Sequence, residues 1–213
     1  MRRVKKKDHE NLTDSNIKKV IGLLGASPPI TKKQACEILN ISYNTTRLNR
    51  IIEEFKDNED LVKRMKAKKR GKPATKDEIK FIVEAYMEGA SLTDIAKSNY
   101  RSTAFIKSLI DRVGVPSRLT GDDKYAVEYL PDECVAEEFA DGEIVWSAKY
   151  HTSCKILKKL PDEKYKPKYG VSCYDMYVFE ETEGFTKGGF YASAPAYDLG
   201  KLTHLQEYGV NVD

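Results

Sequence analysis

Apolar residues recur at helical spacing along the first half of the chain. Three amphipathic segments lie between residues 15 and 55, separated by Gly25–Pro29 and by a short turn at Asn40–Ser42. The second segment starts at Thr31, with Gln34 three residues later, which is the pattern of a capping box. This spacing predicts three short helices packed around one small apolar core.

A second group of three amphipathic segments lies between residues 75 and 113 and repeats this plan. Gly89 ends its first segment, and Asn99–Arg101 forms the turn before its last. A shift of 61 residues places Ala35 on Ala96. The pattern therefore predicts that one three-helix fold occurs twice.

The pattern changes from residue 139 onwards, where β-branched and aromatic residues alternate between Gly and Pro. The predicted elements are strands over 143–150, 153–160, 171–180 and 190–193, a polar turn over 161–164 and a short helix over 199–208. Four or five short strands predict a small barrel or a strongly twisted sheet that resembles an SH3-like fold. The predicted fold class is α+β, with two small three-helix domains followed by a β-rich domain.

Charge is distributed unevenly between the two halves. Residues 1–121 contain 26 Lys and Arg and 15 Asp and Glu, a net charge of +11, whereas residues 122–213 contain 10 and 18, a net charge of −8. Ten of the 13 tyrosines and the single tryptophan also lie after residue 121. This asymmetry predicts a basic part that binds a polyanion and an acidic part with another task.

One stretch of the basic part, residues 58–74, is poor in apolar side chains and ends in Gly and Pro. This composition predicts a linker without a core of its own. The predicted organisation is a basic N-terminal arm, a first helical domain, this linker, a second helical domain and an acidic β-rich domain, over residues 1–14, 15–57, 58–74, 75–121 and 122–213.

The helical domains resemble the helix-turn-helix family of resolvases, transposases and phage or bacterial regulators. The resemblance rests on Ser91–Ala96 and Gly114–Pro116 in the second domain, and in both on a short turn after a middle helix that contains a small Ala. It implies that the last helix of each domain enters the major groove of duplex DNA with its N-terminal end first. The alternative explanation is a helical bundle that binds a protein partner.

The end of the predicted linker, Arg70-Gly71-Lys72-Pro73, resembles the AT-hook core and the arm that precedes the helix-turn-helix of DNA invertases. Glycine lets a chain lie deep in the minor groove, and flanking cations are attracted by the negative potential of A·T-rich DNA. Lys72 stands where these motifs usually have a second Arg. The resemblance implies a minor-groove arm, and the alternative is a solvated basic linker.

The candidate DNA-binding residues lie on the predicted outer faces of the last helices and in the linker. Arg suits guanine and Asn suits adenine, while Ser, Thr and Lys often contact phosphates. Arg47 is the strongest candidate for reading a base, because it lies one turn into its helix and opposite the apolar face. The set is Tyr43, Asn44, Thr46, Arg47, Arg50, Lys68, Lys69, Arg70, Gly71, Lys72, Arg101, Ser102, Thr103 and Lys107, with Ala104 and Ser108 beside them.

No catalytic or metal-binding pattern stands out. The four cysteines are widely spaced, which predicts free thiols rather than a zinc site. The sequence has no Walker-type loop, no Gly-x-Ser-x-Gly and no recombinase pattern around a nucleophile. We therefore predict no cofactor, metal or catalytic residue. The absence of a long apolar segment and of an apolar core behind the N-terminal charges predicts no membrane association and a cytoplasmic or nucleoid-associated protein.

The leading hypothesis is a sequence-specific double-stranded DNA-binding regulator of transcription, such as a phage encodes. Its acidic domain would contact RNA polymerase or another nucleoprotein component, or would fold back on the basic half and compete with DNA. One alternative is a DNA-processing enzyme, namely an endonuclease or a transposition or recombination factor with an unrecognised centre in the β-rich domain. Another is an adaptor whose helical domains bind proteins.

Overall fold

The computed structural model describes residues 7–118, 134 and 136–212 of the 213-residue chain. The chain divides into two compact units, Met1–Arg70 and Gly71–Asp213. Helices form the first unit, whereas helices and a five-stranded antiparallel sheet form the second. The predicted α+β class is confirmed at this level.

The first unit contains three helices, α1 (Asp14–Leu24), α2 (Lys32–Ile38) and α3 (Thr45–Lys69). Helix α2 begins with the predicted capping box, in which Thr31 and Gln34 each accept a hydrogen bond from the other's backbone N–H. Apolar side chains of all three helices meet in one core. Its most buried members are Ile17, Val20, Ala35, Cys36, Leu39, Leu48 and Ile51.

Helix α3 is much longer than predicted, because it continues through residues 58–69 of the expected linker. The stretch contains no Gly or Pro before Gly71, and Leu, Lys, Arg, Met and Ala are all good helix formers. Once the helix has formed on the core as far as Phe55, each further residue adds a hydrogen bond at little cost. The segment between the helical groups is thereby reduced to residues 70–75.

The second unit begins with helices α4 (Lys76–Met87), α5 (Leu92–Ser98) and α6 (Thr103–Val113). Each starts at an N-cap hydroxyl, from Thr75, Ser91 and Ser102 respectively. The element boundaries agree closely with the periodic pattern of the sequence. Helix α6 ends at Gly114, whose φ of 84° is the left-handed conformation that glycine adopts without strain.

The two three-helix groups share a left-handed residue just after their middle helix, and the connection from it to the last helix is two residues longer in the first group. This residue is Asn40 in the first group and Tyr100 in the second, with φ of 50° and 54°. The backbone N–H of the residue that follows it donates to Cys36 O in the first group and to Ala96 O in the second, at 3.0 Å in both. These positions differ by 60 residues, so the predicted shift of 61 is wrong by one. Cys36 rather than Ala35 is therefore the counterpart of Ala96 at this crossing.

The sheet of the second unit has the strand order β4-β3-β2-β1-β5, with every pair antiparallel. The strands are β1 (Ile144–Ser147), β2 (Thr152–Lys159), β3 (Cys173–Glu180), β4 (Gly188–Pro195) and β5 (Leu199–Lys201). Two predicted details differ. The polar turn is the start of a short helix, α7 (Asp162–Tyr169), and the predicted helix over 199–208 is strand β5 followed by a 3-10 turn, because its first residues pair with β1.

Helices α4–α6 and the sheet are not separate, as the predicted domains 75–121 and 122–213 would be, but form one unit with a shared core. Trp146, Leu202 and Leu205 are buried in the same cluster as side chains of α4 and α6. The Thr182 N–H donates to Gly89 O at 2.9 Å, and the Ser153 hydroxyl donates to Met87 O. Charge predicted the division wrongly because it describes the surface, whereas apolar burial joins these elements. The predicted boundary itself lies outside the described residues.

Candidate nucleic-acid interface

The first candidate surface is the beginning of helix α3. Tyr43 is 64% exposed, and Thr46 and Arg50 are also exposed, while Leu48 and Ile51 face the core. The Asn44 side chain caps the helix by accepting the Arg47 N–H at 2.9 Å. The predicted separation between an outer polar face and an inner apolar face is therefore present at this helix.

Arg47 has a partner that the sequence did not indicate. Its Nη2 lies 2.7 Å from both carboxylate oxygens of Glu10, whose side chain is only 2% exposed. The Lys7 N–H also donates to Glu10 Oε2, at 2.9 Å. The Arg47 side chain is 27% exposed, so its guanidinium is largely engaged in holding the N-terminal arm against α3. This engagement conflicts with its predicted rank as the strongest base reader.

The same arm is also fixed to the turn between α2 and α3. The Asn11 N–H donates to Leu39 O at 2.9 Å, and the Asn40 side-chain amide donates to His9 O at 2.6 Å. Residues 9–11 therefore lie beside the start of α3. The interactions span 28 to 37 residues in sequence, so local pattern alone could not have revealed them.

The second candidate surface is the beginning of helix α6. Thr103, Ala104, Lys107 and Ser108 are exposed, and Ile106 and Leu109 on the opposite side are buried. Ser102 is the N-cap, and its hydroxyl accepts the Phe105 N–H at 3.1 Å. Its predicted contact with DNA would have to coexist with this capping bond.

Arg101 does not lie on this exposed surface. Its Nε and Nη2 donate to the two carboxylate oxygens of Glu78, both at 3.0 Å, and its guanidinium stacks on Phe105. The side chain is 7% exposed, and the hydrogen bond to Glu78 raises its pKa above the ordinary value. Arg101 therefore positions the start of α6, and the predicted base contact by Arg101 does not fit this arrangement. Glu78 lies in the first turn of α4, so this ion pair joins the starts of α4 and α6.

The segment resembling a minor-groove arm begins where α3 ends. Arg70, Gly71 and Lys72 are exposed, as is Lys68, while Lys69 is half-buried. Gly71 has a φ of 72° with open space where a Cβ would lie. Arg101 donates to the carbonyl oxygens of Lys72 and Pro73, at 2.9 and 3.3 Å. The backbone after Gly71 is thus attached to the start of α6, while Lys72 remains exposed.

Net charge also differs between the two units, although less than between the predicted halves. Residues 1–70 contain 18 Lys and Arg and 9 Asp and Glu, a net charge of +9, and residues 71–213 contain 18 and 24, a net charge of −6. Nonspecific attraction to a polyanion would consequently be expected of the first unit. The second unit would depend on its local surface at α6.

Within the second unit the sheet does not cover the exposed face of α6. The sheet and its connections contact α4 and the start of α5 instead. The 211–212 tail and strand β2 bond to α4. In the hairpin after β3, Lys187 pairs with Glu88 at 2.7 Å, and the Gly184 N–H donates to Asp94 at 3.0 Å. Near α6 itself, His204 contacts the carbonyl of Gly114 at 3.1 Å, beyond the end of the helix. Thr103, Ala104, Lys107 and Ser108 are exposed, so no acidic segment covers this surface in the described part of the unit.

In the described ranges, no group of three or more His, Cys, Asp or Glu is arranged to hold a metal ion. The four cysteines are buried and form no disulfide, and burial raises the pKa of Cys154 to about 12. None of the helices described by the structure has both the length and the apolar character needed to cross a membrane. Comparisons with protein-family models, curated proteins and solved structures give no significant match.

Proposed function

We propose that this protein is a sequence-specific double-stranded DNA-binding protein that regulates transcription. One observation carries the proposal: two three-helix groups have the same left-handed turn, followed by a capped helix with an exposed polar face at its start. That arrangement is the one by which helix-turn-helix proteins insert a helix into the major groove.

The side chains divide into two roles in this proposal. Thr46 and Arg50 of α3 and Thr103 and Lys107 of α6 are exposed and would meet bases or phosphates. Arg47 and Arg101 would act indirectly, because their ion pairs with Glu10 and Glu78 fix the helices that do the reading. Tyr43, Asn44 and Ser102 lie at the helix starts, where their polar groups would approach the DNA backbone.

The basic end of α3 and the following segment would add phosphate contacts. Lys68, Lys69, Arg70 and Lys72 lie within five residues of one another. Each phosphate contact releases condensed counterions, so these cations would increase affinity for all sequences. We further propose that Arg70 and Lys72 contact a narrow, A·T-rich minor groove.

The acidic sheet would serve a protein partner in the same assembly. Its five strands form an open antiparallel sheet in which the fifth strand pairs with the first, an order compatible with the predicted SH3-like fold. Because the sheet shares a core with α4–α6, a partner bound to it would be held at a fixed distance from α6. RNA polymerase or another nucleoprotein component, in the cytoplasm or nucleoid, is the partner class that this arrangement suits.

The direct test uses the full chain and selection of bound duplexes from random DNA, followed by affinity measurements at several salt concentrations. We expect enrichment of a defined sequence and a slope of log affinity against log salt of about −0.9 per phosphate contact. Arg50→Ala should cost roughly 1–3 kcal/mol on the selected site and relax preference at one or two base pairs. Lys19→Ala, on the exposed side of α1, is the control with the same loss of charge.

Two outcomes would contradict the proposal. One is an affinity that does not change with salt, which would favour a protein-binding adaptor. The other is an equal, sequence-independent effect of Arg50→Ala and Lys19→Ala, which would remove α3 as a reading helix. Adding Mg²⁺ to the same reactions tests the processing-enzyme alternative, since cleavage of the duplex would require a catalytic centre.

A further inference from the structure

Helix α3 carries two blocks of opposite charge in its second half. Residues 53–60 contain five acidic residues and one Lys, and residues 63–70 contain six Lys or Arg and no acidic residue. The blocks meet at Leu61 and Val62. A helix with this arrangement is complementary to a copy of itself that runs in the opposite direction.

The same half of α3 extends beyond the core of its own unit. Phe55 is the last buried residue of the helix, and residues 56–69 are exposed or half-exposed. Leu61 is 51% exposed, and Leu61, Val62 and Met65 belong to none of the buried clusters of the described residues. Isolated helical segments of this length are only marginally stable in water, so a packing partner would stabilise it.

The seam of α3 that enters the core continues into this exposed half, where two of its four positions are apolar. Positions at alternating intervals of three and four residues, as in a coiled coil, hold Leu48, Ile51, Phe55, Asn58, Val62, Met65 and Lys69. In this repeat Glu54 and Lys68 lie on one flank of the seam, and Glu59 and Lys66 lie on the other. Each flank therefore carries one acidic and one basic residue around Leu61 and Val62.

We infer that a second copy of this chain packs against the exposed half of α3 in an antiparallel helix pair. In that orientation the acidic flank residues of one copy face the basic flank residues of the other, with Glu54 near Lys68 and Glu59 near Lys66. Two-fold symmetry forms each contact twice. Leu61, Val62 and Met65 of both copies meet at the crossing and lose their exposure to water.

A parallel pair is excluded by the same charges. In a parallel coiled coil, each flank residue faces the residue five positions later on the other flank of the partner. Glu54 of one copy would then face Glu59 of the other, and the two acidic blocks and the two basic blocks would lie side by side. Only the antiparallel orientation converts this repulsion into attraction.

Effects within a single helix do not account for the charge blocks. The helix dipole favours acidic residues in the first turn and basic residues in the last, and its influence falls off within that turn. The acidic block instead starts eight residues after Thr45, the first residue of α3. Within the chain, Lys63 pairs with Asp60 at 3.4 Å, and Lys18 of α1 pairs with Glu59 at 3.8 Å. All four side chains are exposed by 38% or more, so both pairs contribute little.

The dimer does not depend on DNA binding, and its test contains no DNA. The full chain is studied by sedimentation velocity and light scattering over a concentration series. We expect a species of twice the 24.2 kDa chain mass that dissociates on dilution. Glu54→Lys with Glu59→Lys should raise the dissociation constant roughly tenfold or more, because four attractive contacts become repulsive.

A charge-exchanged variant identifies the orientation. Adding Lys66→Glu and Lys68→Glu to that double variant restores the wild-type net charge and the antiparallel complementarity, so dimerisation should return. In a parallel pair the repulsion would remain. The matched control is Glu53→Lys with Asp60→Lys, the same change in charge on the outer side of the helix, which should retain the dimer. Circular dichroism verifies that each variant keeps its helix.

The inference is overturned by a chain that stays monomeric at every concentration, or by a dimer that the Glu54 and Glu59 changes do not weaken. It is also overturned by a fourfold variant that keeps its helix and remains monomeric. If the fourfold variant loses helix, the two double variants are mixed instead, Glu54→Lys with Glu59→Lys and Lys66→Glu with Lys68→Glu. A mixed dimer then supports the seam, and its absence overturns it.

Discussion

Removing the Arg47 side chain should destabilise the first unit, whatever its effect on DNA binding. The Glu10 carboxylate is only 2% exposed. Arg47→Ala removes its cationic partner and keeps the hydrogen bond from the Lys7 N–H. Breaking a buried ion pair from one side typically costs 3–5 kcal/mol. Because Arg47 is itself 27% exposed, water can reach part of the site, and we expect about 2–3 kcal/mol.

A double-mutant cycle separates the ion pair from simple truncation. Glu10→Gln removes the charge but keeps hydrogen-bonding atoms, so it should cost about 1 kcal/mol. The combined variant should lose less stability than the sum of the two single losses, because no unpaired charge remains. The expected coupling energy is about 1–2 kcal/mol.

The assay is thermal unfolding of residues 1–70, which form a compact unit with its own core, followed by far-ultraviolet circular dichroism. For a domain of this size, Arg47→Ala should lower Tm by roughly 10–20 °C. A loss below about 0.5 kcal/mol, or strictly additive effects in the cycle, would refute the structural role of the pair. DNA affinity of Arg47→Ala should then be compared with that of Glu10→Gln, whose reading helix stays in place.

Three other outcomes follow from the structure. Gly89→Ala should lower the free energy of chemical unfolding by about 2–4 kcal/mol, because its φ is 100° and a Cβ would collide with the carbonyl of Glu180. The control is Gly142→Ala, which should cost about 1 kcal/mol, since Gly142 has a φ of 93° and open space around a Cβ. The double change Arg70→Ala with Lys72→Ala should weaken DNA binding more when the spacer, the base pairs between the two helix-turn-helix footprints, is A·T than when it is G·C. Equal losses of affinity on both spacers would indicate that the segment is a plain basic linker. Cys154 should resist alkylation of the native protein at pH 8, since a pKa of about 12 leaves roughly one thiolate in ten thousand; labelling as fast as in denaturant would contradict its burial.

The minor-groove test avoids substitution of Gly71. Its φ of 72° strains any residue with a branched side chain even in solution, so Gly71→Val would lose stability without a groove nearby. The paired comparison of A·T and G·C spacers depends only on exposed side chains. It therefore reports on the groove rather than on the backbone.

The sequence determined the elements whose causes are local. N-cap hydroxyls at Thr31, Ser91 and Ser102 lie within three residues of the N–H groups that they accept, so the pattern predicted the starts of α2, α5 and α6 closely. Alternation of side chains likewise predicted β2 and β3. The outer faces of α3 and α6 could also be predicted, because helical periodicity assigns each residue to a side.

Only the tertiary structure decided which charged residues form ion pairs within the chain. Glu10 and Glu78 are separated by 37 and 23 residues from the arginines that they bind, and a salt bridge of that span leaves no local pattern. It therefore showed that Arg47 and Arg101, both candidates for reading bases, form ion pairs with these carboxylates. Folding also joined α4–α6 to the acidic sheet, because burial of Trp146 and its neighbours depends on apolar area and not on the charge that distinguishes the halves.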